Sequence, residues 1–155
     1  MLDILVGAIS SGKSTYSREQ AKKGAIILND DALVVALHGD YRFYDKNLKP
    51  LYKSIENQII SSALTLRRDV IVDRPNHSRQ MRRRYIGLAH SFDVLVRLVL
   101  FERQTPEIHA QRRFESDSRG HSYAYWLEVA QHHDRIFEYP SEDEGFDEIL
   151  EWKFS

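Results

Sequence analysis

The chain has 155 residues, 42% hydrophobic and 29% charged, which is the size and balance of one folded domain around a single core. It contains no cysteine, which excludes disulfides, thiolate metal sites and cysteine nucleophiles together, and its net charge of −1 excludes binding to nucleic acid by bulk positive charge. No run approaches a membrane span and Asp3 interrupts a signal-peptide pattern, so a soluble cytoplasmic protein with no membrane partner is expected.

The first apolar run, residues 2–6, reads as a strand and leads into GAISSGKST, that is Gly7, Ala8, Ile9, Ser10, Ser11, Gly12, Lys13, Ser14 and Thr15. Every fixed position of the phosphate-loop pattern GxxxxGK[ST] is filled, and a helix is predicted to follow over residues 13–23. Glycine at positions 7 and 12 lets successive N–H groups turn toward phosphate oxygens, and the helix N-terminus adds partial positive charge. In such a loop Lys13 reaches the β and γ phosphates of ATP and the Ser14 hydroxyl takes Mg²⁺.

A second strand, 25–28, runs into Asn29, Asp30 and Asp31, at the sheet edge where open α/β folds bind ligands. One of these carboxylates is placed to accept the proton of an attacking hydroxyl, while the other caps the helix predicted over 31–37. After a polar, aromatic break at 39–49 comes a helix at 49–67 and then the strand VIVD, residues 70–73, ending at Asp73. Asp73 is a candidate for assisting the magnesium ion or binding substrate. Asn76 follows across Pro75, as a second substrate contact or as a cap for the next helix.

That helix, 78–90, carries Met81, Tyr85 and Leu88 at helical spacing, which predicts that they face the sheet and that Arg79, Arg82 and Arg83 face outward. With Arg67, Arg68, Arg74 and Arg84 they form a basic middle region, against an acidic end at residues 142–151. A strand at 94–101 and a helix at 106–113 follow. The polar stretch ESDSRGHS, residues 115–122, is a candidate lid loop, flanked by Arg112, Arg113 and Arg119, which could stabilise charge on a transferred phosphoryl group or simply lie in solvent. A helix at 123–137 and a strand at 149–154 complete the pattern. His132 and His133 are adjacent and point to different sides of that helix, so they do not chelate one metal as an i, i+4 pair does. Tyr123, Tyr125 and Trp126 fit a packed core better than a base-stacking surface. Strands alternating with helices specify an α/β fold with a mostly parallel five-stranded sheet flanked by helices.

Taken together, these residues resemble the 5′-hydroxyl polynucleotide kinases, within the wider group of small P-loop kinases that includes zeta-toxin-like and chloramphenicol phosphotransferase-like enzymes. The resemblance is carried by GAISSGKST, by NDD at 29–31, by VIVDRPN at 70–76 with RRRY at 82–85, and by FEYPSEDEGFDEILEWKF at the end. It implies a single three-layer P-loop kinase domain over residues 1–155 with a helical lid, using ATP and Mg²⁺ and taking nucleic acid as substrate. It further implies Asp30 as general base, Asp73 and Asn76 at the substrate and metal site, Arg113 and Arg119 as lid arginines, and Asp31 and Arg82 as substrate contacts. Two positions depart from the family: Asn29 stands where an arginine commonly precedes the catalytic aspartate, and Leu33 where some members place a substrate-holding arginine. These departures leave open a hydroxymethyl group of a modified base such as 5-hydroxymethyluracil in DNA as acceptor. The same residues also fit a kinase for a nucleoside-type small molecule, or a nucleotide-binding switch with no acceptor.

Overall fold

The computed structural model describes residues 1–153, so Phe154, the end of the expected fifth strand, lies outside the described residues. In chain order the elements are β1 (Leu2–Val6), α1 (Lys13–Lys22), β2 (Ile26–Asn29), α2 (Asp30–His38), α3 (Lys49–Thr65), β3 (Val70–Asp73), α4 (Arg79–Ser91), β4 (Val96–Phe101), α5 (Pro106–Ser116), α6 (Tyr123–Arg135) and β5 (Glu148–Trp152). Short 3₁₀ turns lie at Tyr41–Phe43, Lys46–Leu48 and Glu142–Glu144. The helix starts follow from side chains that accept otherwise unpaired backbone N–H groups: Asn29 caps α2, Ser78 caps α4 and Ser122 caps α6. Neither Asp30 nor Asp31 serves as the cap, and Asn76 is not the cap of α4.

The sheet is ordered β2-β3-β1-β4-β5 and every pairing among the described residues is parallel. Buried parallel strands need cover on both faces, and the alternation of side chains along β1 divides that cover. Leu2, Ile4 and Val6 meet Ile60 and Leu64 of α3 and Tyr85, Ile86 and Ala89 of α4. Leu5, with Ile71 and Val99, meets Tyr16 of α1. Each fully buried side chain of this kind contributes on the order of 1.5–3 kcal/mol, and these two clusters bind the three layers together. A third cluster of Ala110, Trp126 and Ala130, joined by Ile9 from the loop after β1, seats the α5–α6 hairpin over the edge of the sheet. The register pairs Asn29 with Asp73 and Val6 with Leu100. The carboxyl ends of β1, β2, β3 and β4 therefore converge on one edge.

One expectation about α4 is corrected. Met81 is exposed, whereas Arg82 has no accessible surface; the inward stripe is Arg82, Tyr85, Ile86 and Ala89. A buried guanidinium is tolerable when all its donors are matched, and here Arg82 Nε and Nη2 donate to the two oxygens of Glu144 at 2.8 and 2.7 Å. Its Nη1 donates to the carbonyls of Asn76 and His77 at 3.1 and 3.0 Å. Hydrophobic periodicity assigns arginine to the outside because it cannot register a carboxylate arriving from 62 residues further on. Arg82 is thus a fastener between α4, the β3–α4 loop and the 142–144 turn, and not a substrate contact. Arg82→Ala leaves Glu144 buried without its cation, so urea denaturation is expected to show a loss of about 3–5 kcal/mol; a loss below about 1 kcal/mol contradicts this role.

Candidate active site

The loop between β1 and α1 is shaped by close approach and by left-handed backbone. A Cβ on Gly7 would lie 2.6 Å from Ser11 Oγ and 2.9 Å from Phe101 Cβ, so only glycine fits between the loop and the end of β4. Gly12 (φ 101) and Ser10 (φ 51) turn the chain into α1, whose first turn presents Ser14 and Thr15 to solvent. Ala8 and Ile9 continue the cradle, and Ile9 anchors it to the lid hairpin. Lys13 curls back over the loop and its Nζ donates to the carbonyls of Gly7 at 2.9 Å and Ala8 at 2.5 Å. Burial holds the Lys13 ammonium down to about 8, against the upward pull of Asp73.

Asp73, buried at the end of β3, is the carboxylate opposite this ammonium. Burial pushes its carboxyl up and Lys13 opposes that shift. Asn29 braces the same corner: its Nδ2 donates to the Asp73 carbonyl at 3.3 Å while its Oδ1 accepts from Ala32 N–H at 2.9 Å. Arg74, directly after Asp73, pairs with Asp30 and, at 2.5 Å, with Glu56 of α3. Glu56 is 1% exposed and also holds Arg84 of α4 at 2.9 Å. A chain of alternating charge, Asp30–Arg74–Glu56–Arg84, therefore sets the position of the Asp30 carboxylate, which itself remains half exposed.

Asn76 is 2% exposed with φ 46, and its amide donates to the carbonyls of Leu5 at 2.7 Å and Arg74 at 3.0 Å. The expected substrate contact is instead a clasp between the β3–α4 loop and β1. The lid divides its arginines. Arg119 reaches across to Asp31 at 2.8 Å and lies over the Tyr41 ring at 4.3 Å, so it joins the lid tip to the α2 side of the site. Arg113 lies on the lid's own Trp126 at 4.6 Å. Asp117 ties the lid loop by accepting from the N–H groups of Arg119 and His121 and from Trp126 Nε1; Trp126 thus belongs to lid packing, as expected.

A cavity of about 350 Å³ opens beside Asp30, between Arg74, Gln80, Arg84, Tyr85 and His132. A tighter cleft lies between Gly7, Ala8 and the lid, walled by His77, His109 and His133. Among the described residues no group of three or more His, Asp or Glu side chains is placed to hold a metal ion unaided. The Ser14 hydroxyl and the Asp73 carboxylate are both hard oxygen donors, which suits Mg²⁺ that arrives with phosphates and keeps its own waters.

The model of the AAA domain family matches residues 2–133, most of the chain. The chain belongs to the AAA domain family. No match is found among curated protein sequences. Among solved structures, this AAA domain is similar to a gluconokinase from Sinorhizobium meliloti 1021, with 17% identity and a TM-score of 0.57 over 97% of this chain and 81% of that one. It is also similar to Chaetomium thermophilum Kti12 in complex with ADP-AlF3, with 15% identity and a TM-score of 0.60 over 99% and 89%. The third is deoxyadenosine kinase from M. mycoides with products dCMP and a flexible dCDP bound, at 16% identity and a TM-score of 0.50 over 100% and 90%. At these identities the likeness is one of fold, and the AAA domain here has the P-loop kinase fold.

Arg74, Glu56, Tyr41 and His77 are site residues that the sequence did not disclose. Only Arg74 carried a local signal, by following the strand that ends in Asp73. The titration of Lys13 yields a direct expectation. Phosphate oxygens favour its charged form, so above about pH 8 ligand binding must first restore a proton, and affinity for ATP falls by up to about tenfold per pH unit. Calorimetric titration from about pH 7 to about pH 9.5 tests this, and a constant affinity would contradict it.

Proposed function

We propose that this AAA domain is an ATP-dependent phosphotransferase that places the γ-phosphate on a hydroxyl of a nucleic acid, in the first instance a 5′-OH end. The observation that carries the reading is the Asp30 carboxylate, held by Arg74 and Glu56 beside a nucleoside-sized cavity at the same sheet edge as the phosphate loop. Lys13 and the loop from Gly7 to Thr15, through the N–H groups that follow Gly7, hold the triphosphate. Ser14 and Asp73 would hold Mg²⁺, which when bound neutralises charge on the β and γ phosphates. Asp30 accepts the proton of the acceptor hydroxyl as its oxygen bonds to the γ phosphorus and the bond to the bridging oxygen of ADP breaks. Arg119, moored on Asp31 and Tyr41, is a lid cation that reaches the acceptor side.

Support for a polynucleotide comes from the segment beside Asp31. The rings of Tyr41 and Tyr44 stack at 6.0 Å with 11° between planes, Phe43 is 55% exposed, and Arg42, paired with Asp40 at 3.5 Å and over the Phe43 ring at 5.0 Å, is itself largely exposed. Aromatic faces interleaved with cations suit single-stranded bases and their phosphates. A second reading, a small-molecule kinase, is favoured by the neutralisation of α4. Arg79 is paired with Asp143, Arg82 with Glu144 and Arg84 with Glu56, so that helix does not offer the long phosphate track that its sequence suggests.

Labelled ATP with 5′-OH oligonucleotides, 5-hydroxymethyluracil DNA, nucleosides and sugars as acceptors tests the proposal. Label on the oligonucleotide end is expected, and Asp30→Asn is expected to lower kcat about 10²–10⁴-fold at similar ATP affinity. Label confined to nucleosides or sugars establishes the second reading, and label confined to 5-hydroxymethyluracil DNA moves the acceptor to the base. An Asp30→Asn protein with undiminished transfer overturns Asp30 as the base.

A further inference from the structure

His77 follows the clasp of Asn76 and is 2% exposed. Its backbone is pinned, because its carbonyl accepts from Arg82 Nη1 at 3.0 Å and from Glu138 N–H at 2.8 Å. The ring packs 4.3 Å from the ring of His133 on α6 and 6.4 Å from that of Phe137. Neither nitrogen of His77, nor Nδ1 of His133, has a hydrogen-bond partner within the described residues. Buried imidazole nitrogens left in this way are costly, and a ligand is one means of satisfying them.

Their place in the fold indicates which ligand. His77 and His133 line both the cleft under Gly7 and Ala8 and the larger cavity beside Asp30. Gly7 and Ala8 of the phosphate loop wall the first space and Asp30 the second, so on the kinase reading a group moving from the loop to a hydroxyl near Asp30 moves along the side on which these rings lie. Of the charged groups around the rings, Arg103 is paired with Asp134 at 2.5 Å, and the Lys13 ammonium is turned onto the loop carbonyls. His109 and His132 complete the surroundings. Burial, the neighbouring imidazole and Lys13 push His77 down to about 3, and burial and Lys13 push His133 down to about 4. Both rings are thus neutral near pH 7, each with one N–H to donate.

We propose that His77, with the ring of His133 tilted against it, is a catalytic residue that donates a hydrogen bond to the oxygens of the phosphoryl group in transit from nucleotide to acceptor. The inference rests on the kinase reading above. No proton leaves the imidazole in this step; the acceptor's proton goes to Asp30 and ADP departs as before, while the N–H stabilises charge gathered on the transferred group. His77→Phe retains a ring against His133 and removes both nitrogens, whereas His77→Gln restores an amide N–H on a side chain of similar reach.

The test is steady-state kinetics with Mg·ATP, using an acceptor labelled by the wild type, or water, with melting curves in parallel. His77→Phe is expected to melt no lower than the wild type, to keep KM for ATP within about twofold and to lose about 100-fold in kcat, evenly from about pH 6 to about pH 9. His77→Gln should regain about tenfold of that loss. A folded His77→Phe protein with kcat within about twofold of wild type overturns the assignment. If His77→Phe does not fold, His77→Leu takes its place, with the same expectation for kcat and the same contrary result. A wild-type protein that transfers phosphoryl to neither acceptor nor water overturns the kinase reading, and this inference with it, whereas an active wild type with an equally active variant removes this inference alone.

Discussion

A lysine ammonium sits half-buried against the carbonyls of Gly7 and Ala8, with a buried carboxylate, Asp73, as its counter-charge. Desolvating a cation is unfavourable unless donors and charge are matched, and most of the fold near this point serves that matching. The parallel order puts β1 between β3 and β4, which brings the ends of the strands bearing Gly7 and Asp73 side by side. Asn76 clasps the β3–α4 loop to the Leu5 carbonyl, and Pro75 accepts the Gly7 N–H at 3.1 Å. The cradle is therefore braced on the side of the β3–α4 loop. Its Lys13 contacts are ones that phosphate oxygens can replace.

From this corner, charge alternates outward in two directions. Asp30–Arg74–Glu56–Arg84 runs through α3 to α4, while Asp31–Arg119 runs to the lid and on to Tyr41. Fixed pairs of this kind contribute little net stability but hold each carboxylate in a defined place. Preorganised polar groups at a reacting centre need not rearrange during the step. His133, on α6, and His77, on the β3–α4 loop, belong to neither line, and neither line supplies their unpartnered nitrogens with a hydrogen bond.

What the sequence disclosed depends on how local each requirement is. GAISSGKST was legible because a phosphate cradle demands particular residues at fixed spacing over one turn. The strands and helices of the described residues were legible because burial imposes its period on each segment, with ends displaced by a few residues where caps such as Asn29 and Ser78 took over. Asp30 and Asp73 stood out as carboxylates at strand ends. The role of Arg82 was not legible, since Glu144 lies 62 residues away, nor was that of Asn76, whose partner Leu5 is 71 residues distant. The Arg74 pairing with Asp30 spans 44 residues. In each case the residue type was visible, but the partner that decides its function is brought in only by the sheet order.

Central to the proposed function is Lys13 as the phosphate-binding cation of the site, braced by Asp73 and the loop carbonyls. Calorimetric titration of ATP with Mg²⁺ into the wild type and into a folded Lys13→Ala protein tests it most directly. The account predicts saturable binding by the wild type and about 100-fold weaker binding by the variant, the loss of a charge-assisted contact to phosphate. Equal affinity in the two proteins would contradict it.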